Sequence, residues 1–196
     1  MTIEAPTDAP DDPYLAGQLL LAMPGMEDSR FTHSVIYICA HNGDGAMGLV
    51  INQPMEDFTF EDLMQQLNLE KTSHKSDPII VQSGGPVEQG RGFVLHGPDY
   101  VHESTMVVNQ HISLTGTIDI LKAIADGTGP REHILALGYA GWGPGQLDAE
   151  ILANGWLTVD ADEDILFKTA LDKKWESAMA KLGIDLSLLS ENAGHA

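Results

Sequence analysis

Apolar positions along this chain come in short blocks whose period changes from place to place. Leu19-Leu20-Leu21-Ala22 is an unbroken apolar run stopped by Pro24-Gly25. It is too short for a helix and predicts a strand near 18–22. Residues 34–40 (S-V-I-Y-I-C-A) are rich in β-branched and aromatic side chains, and residues 46–52 (A-M-G-L-V-I-N) follow after Asn42-Gly43-Asp44-Gly45. Two β-prone runs around residues that tolerate positive φ predict a hairpin. Further strand-like runs lie at 79–82, 92–96, 106–110, 133–139 and 156–159, separated by Gly84-Gly85-Pro86, Gly97-Pro98 and similar breaks.

Helical spacing enters between these runs. Thr59 can cap a helix whose apolar face is Phe60, Leu63, Met64 and Leu67, with Glu61 and Asp62 opposing the dipole. Residues 68–77 are polar and read as a loop. A second helix over 117–126 puts Ile118, Leu121, Ile124 and Ala125 inward and ends at Gly127. Gly145 to Ala153, Asp162 to Phe167 and Asp172 to Leu182 give three more. Hairpin chemistry with scattered helices, lacking a steady strand–helix rhythm, predicts an α+β domain with a mostly antiparallel or mixed sheet.

The length of 196 residues suits one domain, expected over 14–190. Residues 1–13, with four acidic and no basic side chains, read as a flexible acidic tail, and 191–196 as a C-terminal tail. Ten Lys and Arg against 29 Asp and Glu leave a formal charge of -19. That balance repels phosphate backbones, so direct nucleic-acid binding is not expected. No apolar run approaches the ~20 residues of a membrane-spanning helix, and residues 1–13 lack the basic and apolar segments of a signal peptide. A cytoplasmic location is therefore expected, away from membranes.

Reactive motifs are sparse. The spacing G-x-G-x-x-G between strand and helix is absent, as is a Walker A loop. Eight histidines include no H-x-H, no H-E-x-x-H and no pair four apart on a predicted helix. His96 and His102 flank a Gly-Pro turn, but ordinary loop histidines explain them, and neither a metal nor a cofactor is expected. Ser83 lacks the G-x-S-x-G setting of a nucleophile. Cys39 lies in an apolar strand, where a free thiol behaves as a small hydrophobe.

Three glycine-rich stretches invite a functional reading: residues 48–54, 83–87 and 138–147. Each falls where a strand ends or turns, and curved sheets expose unpaired backbone groups there. Asn52, Gln53, Gly84, Gly85, Tyr139, Trp142 and Gln146 are the expected lining of a concave binding surface, with amides supplying uncharged donors and acceptors beside an aromatic face. The competing reading is architectural, with the glycines permitting tight crossings and Tyr139 and Trp142 serving as packing.

The same stretches resemble the YqgE/AlgH family of bacterial proteins. The matching segments are 15–24 (L-A-G-Q-L-L-L-A-M-P), 48–54 (G-L-V-I-N-Q-P), 84–87 (G-G-P-V) and 137–147 (L-G-Y-A-G-W-G-P-G-Q-L). Glu150, Trp156 and the Asp164/Trp175 region fit as well. The resemblance spans Tyr14 to about Leu189. It implies one α+β domain whose bent, bifurcated sheet wraps into a pseudo-barrel with flanking helices, and no established biochemical activity. Some family members have been described as transcriptional regulators of exopolysaccharide synthesis. The expected function is that of a non-enzymatic binding or regulatory protein, acting through a protein or small-molecule partner, with any transcriptional effect indirect. The rival is a hydrolase or transferase that holds an anionic substrate on the glycine-rich corners.

Overall fold

The computed structural model describes residues 14–70 and 78–186. The tails expected at 1–13 and 191–196, the domain end at 187–190 and residues 71–77 of the expected loop lie outside the described residues. Nine strands form: β1 (Gln18–Ala22), β2 (Val35–Asn42), β3 (Gly45–Val50), β4 (Val81–Ser83), β5 (Val87–His96), β6 (Met106–Val107), β7 (Ser113–Thr115), β8 (His133–Trp142) and β9 (Trp156–Asp160). Four helices accompany them: α1 (Phe60–Gln66), α2 (Ile118–Asp126), α3 (Gln146–Leu152) and α4 (Lys174–Lys181). The strands run in the order β6-β7-β5-β8-β3-β2-β1-β9, with β4 set beside β8. All pairings are antiparallel except β4 with β8. This is an α+β fold in which the sheet curls into a half-barrel.

The curl explains why β1 carries no polar alternation. Leu19 and Leu21 face a core shared with Val35, Tyr37, Leu95 and the α4 residues Trp175, Ala178 and Met179. Leu20 and Ala22 face the other side, against Ile36, Trp142 and Trp156. A strand buried on both faces needs an apolar side chain at every position. A third cluster joins α1 and α2 through Phe60, Leu63, Ile120 and Ile124 to Val81 and Leu135. The hairpin between β2 and β3 forms as expected, pairing Asn42 with Gly45. Thr59 accepts from the Asp62 N–H while the Asp62 carboxylate accepts from the Thr59 N–H, a reciprocal cap. Gly127 ends α2 at φ 75°. No helix among the described residues is long and apolar enough to cross a membrane.

Several expectations shift. The run over 106–110 pairs only at Met106 and Val107, and its partner β7 (S-L-T) carries too little apolar pattern to be read as a strand. The run over 46–52 stops pairing as a strand at Val50, and the one over 133–139 continues to Trp142. The helix expected from Asp162 to Phe167 is a π turn over Asp164–Lys168, closed by the Thr169 N–H on the Asp164 carbonyl (2.8 Å).

One polar chain threads the buried edge of the sheet. His96, fully buried, must donate from Nδ1 to the Gly97 carbonyl (2.7 Å), because a carbonyl only accepts. Its Nε2 then accepts from Thr115 Oγ1 (2.8 Å), which accepts from Thr105 Oγ1 (2.8 Å), which accepts from the His102 N–H (3.0 Å). The chain runs in this direction with the imidazole neutral, the form that burial favours. Burial holds His96 below its ordinary 6.5, and His133 is lowered chiefly by burial too. The unfolded chain therefore binds these protons first as pH falls. Stability is complete above the unfolded value of ~6.5 and declines below it. Urea midpoints measured from pH 7.5 to 5 should fall, and His96→Gln with His133→Gln should flatten that slope.

Candidate functional site

Asn52 and Gln53 lie just past the end of β3, where their amides tie down the segment before β2. Asn52 Oδ1 accepts from the Val35 N–H (2.9 Å), and its Nδ2 donates to the His33 carbonyl (2.9 Å). Gln53 Nε2 donates to Ser34 Oγ (2.8 Å) and to the Arg30 carbonyl (3.2 Å). Ser83 in turn donates its N–H to the Gln53 carbonyl (2.8 Å). Gly84 bridges strands at the same corner, receiving the Val50 N–H (2.9 Å) and donating to the Leu137 carbonyl (2.8 Å).

Gly85 has φ 149°, and a Cβ there would sit 2.1 Å from the Tyr139 carbonyl carbon. Gly138 opposite has φ 74°, and its Cβ would lie 2.5 Å from the Gly85 oxygen. Neither position admits a side chain, because backbone meets backbone on both sides. Asn52, Gln53, Gly84, Gly85 and Tyr139 thus share one corner, joined through main-chain contacts.

Trp142 and Gln146 belong to a different arrangement at the far end of β8. The Glu150 carboxylate on α3 accepts from Trp142 Nε1 (2.9 Å), Trp156 Nε1 (2.8 Å) and Gln146 Nε2 (2.9 Å). Gln146 Oε1 accepts from the Gly143 N–H (3.0 Å). One anion therefore gathers two indoles and an amide, fixing α3 onto β8 and β9. The two tryptophans meet edge to face at 6.1 Å.

Open space lies on either side of the corner. One cleft of about 1040 Å³ includes Asn52 in its wall, and a second of about 650 Å³ includes Tyr139 and Trp142. The larger runs between the β4 end, the α2 C-terminus, the start of β8 and the π turn. Its wall holds three polar side chains that pattern reading passed over: Gln82, His133 and Lys174. Lys174 had a readable signal, since it falls four residues before Ala178 on the apolar face of α4. It is 2% exposed, donates from Nζ to the Leu166 carbonyl of the π turn, and is lowered to about 8 by burial. Gln82 gave no signal, because its burial comes from pairing between β4 and β8.

A family model described as AlgH-like matches residues 19–187. The chain belongs to the AlgH-like family. Curated relatives align over nearly their whole length. A UPF0301 protein of Rhodospirillum rubrum is 56% identical over 183 residues, covering 93% of this chain and 95% of that one. A UPF0301 protein of Nitrobacter hamburgensis is 50% identical over 202 residues, covering 100% and 94%. The solution structure of the AlgH protein from Pseudomonas aeruginosa is 41% identical, with a TM-score of 0.74 and full coverage of both chains. A crystal structure from Corynebacterium diphtheriae, at 20% identity and TM-score 0.69 over 91% and 90% of the two chains, shares the fold.

In this AlgH-like chain the groups able to take part in chemistry are mostly engaged. Cys39 is buried and its thiol is raised to about 12, chiefly by burial. Among the described residues, no three His, Cys, Asp or Glu side chains are grouped to hold a metal ion. The clamp at Glu150 carries a stability prediction. Glu150→Ala leaves three donors without their acceptor and should cost on the order of 2–3 kcal/mol. Trp142→Ala, which opens a cavity as well, should cost about 3–5 kcal/mol in urea unfolding.

Proposed function

We propose that this protein is a non-catalytic binding or regulatory protein of the cytoplasm. It works through a small-molecule or protein partner, and any effect on transcription passes through that partner. The observation that carries this reading is the contrast between the corner and the larger cleft. The amides of Asn52, Gln53 and Gln146 and the indole of Trp142 are spent on internal hydrogen bonds. The cleft keeps one buried acceptor, Gln82 Oε1, without a partner among the described residues, and a buried Lys174 whose ammonium meets a carbonyl but no carboxylate there. In this reading Asn52 lines the larger cleft and Tyr139 and Trp142 the smaller, while Gln53, Gly84, Gly85 and Gln146 line neither and support the walls from the corner and the Glu150 clamp.

One observation favours the hydrolase or transferase reading. Ser104 Oγ lies 2.9 Å from His102 Nδ1, and His102 Nε2 lies 3.4 Å from Asp119 Oδ2. The Ser104 N–H also points at His102 Nδ1 (3.3 Å), which is how a turn two residues long caps itself. That geometry serves the turn before it serves chemistry.

Two measurements test the proposal together. Fluorescence anisotropy with labelled duplex DNA at physiological ionic strength should show no binding, since a chain of charge -19 offers few cations to displace the counterions of DNA. Incubation with p-nitrophenyl acetate and p-nitrophenyl phosphate should show no turnover above buffer. Turnover abolished by Ser104→Ala would replace the binding reading with the hydrolase one.

A further inference from the structure

Lys71 and Lys75 fall outside the described residues, which leaves eight of the ten Lys and Arg to trace. Six of them meet a carboxylate: Arg30 with Asp28, Arg91 with Glu88, Lys122 with Asp119, Lys168 with Asp164, Lys173 with Glu176 and Lys181 with Asp162. The remaining two, Arg131 and Lys174, have no carboxylate within ion-pairing distance among the described residues, although the chain carries 29 acidic side chains. Both line the same 1040 Å³ cleft.

Chance placement is a poor account of that pairing. An ammonium removed from water without a counter-charge is costly, and proteins retain such groups where a partner arrives from outside. Lys174 is 2% exposed and, among the described residues, its one acceptor is the Leu166 carbonyl, which leaves further N–H groups over. Its value of about 8 leaves it mostly protonated near neutrality, and burial alone causes the shift. Leu166 sits in the π turn, an irregularity often found where a helix serves a site.

A second, independent observation lies in the same lining. Gln82, 4% exposed, has an Oε1 with no hydrogen-bond partner among the described residues. A buried acceptor left unmatched is as uncomfortable as an unmatched cation, and a ligand donor would relieve it. The rest of the wall is largely apolar, including Ile124, Ile134, Leu135 and Phe167. Glu132 and Asp172 also contribute to it without reaching either cation.

We infer that this cleft binds an organic oxyanion, a carboxylate or phosphate ester on an apolar body, with the anion held by Lys174 and Arg131 and a ligand donor meeting Gln82. The inference rests on the binding reading above and gives its ligand a chemical class. Lys174 supplies a desolvated point charge, Arg131 a fork that fits either oxyanion, and the aliphatic wall the remaining affinity.

The test titrates the full chain with octanoate, octyl phosphate, octanol and inorganic phosphate by calorimetry, and maps amide shifts by NMR. Octanoate or octyl phosphate should bind saturably at one site, shifting amides at Ile134 and Phe167, with octanol and inorganic phosphate much weaker. The stronger of the two octyl probes identifies the oxyanion. Lys174→Met and Arg131→Gln should each weaken that probe roughly tenfold or more. Arg131 is exposed, so its variant reads binding even if the Lys174 variant misfolds. No saturable binding, equal binding of octanol, or unchanged affinity in Arg131→Gln overturns the site and leaves the non-catalytic reading standing. Recovery of octyl phosphate as octanol and phosphate would overturn the non-catalytic reading and leave the site standing.

Discussion

At Gly85 and Gly138 two stretches of backbone cross with no side chain between them, and both halves of the sheet hang on that crossing. Before Gly138, β8 is flanked by β5 on one side and by β4 on the other. After it, β3 takes the place of β4 along Ala140 to Trp142, while β5 keeps one further pair, Val87 with Tyr139. One strand therefore belongs to two sheet segments, and the change of partner happens where the chain takes a left-handed conformation. The amide clips at Asn52 and Gln53 and the anion clamp at Glu150 secure what lies on either side. A methyl group at either glycine would push the two segments apart, since the obstructing atoms are main chain and cannot rotate away.

Much of this was legible in advance, for physical reasons. The hairpin between β2 and β3 is local: its turn residues and its apolar runs lie within one short stretch. The capped α1 and the Gly127 stop on α2 are local too. What escaped depends on partners far away in the chain. β7 is three residues long and is a strand because β5 and β6 flank it. The glycine-rich stretch 138–147 reads as a place where a strand ends or turns, whereas β3 draws residues 140–142 into the sheet as the far part of β8. The sequence motifs did mark a corner where Asn52, Gln53, Gly84, Gly85 and Tyr139 meet. They could not show that Trp142 and Gln146 answer to Glu150, because a carboxylate on a short helix looks like any other exposed charge. Lys174 carries a signal in its spacing from Ala178, but one that is easily outweighed by its place beside Lys173 on a helix with a polar face.

The acidic surplus also acquires a location. Most described cations meet a nearby carboxylate, so the described residues present no basic face. The two exceptions sit in a cleft whose walls are largely aliphatic. Under the binding proposal, such an arrangement would separate roles, with an acidic exterior repelling polyanions and two cations facing one concavity.

The place of β1 in the sheet bears on how the chain is made. β1 lies between β2 and β9, and Leu19 pairs with both Tyr37 and Val159. The Trp175 indole then donates to the Ala22 carbonyl across 153 positions of sequence (2.9 Å). On the ribosome, one edge of β1 has to wait unpaired until almost the whole chain has emerged. Contacts of such long sequence separation are slow to form, and the exposed edge of a strand that is apolar from Leu19 to Ala22 is a template for wrong partners meanwhile. A newborn copy of this protein passes its most vulnerable interval with its first strand already made and its last one still unwritten.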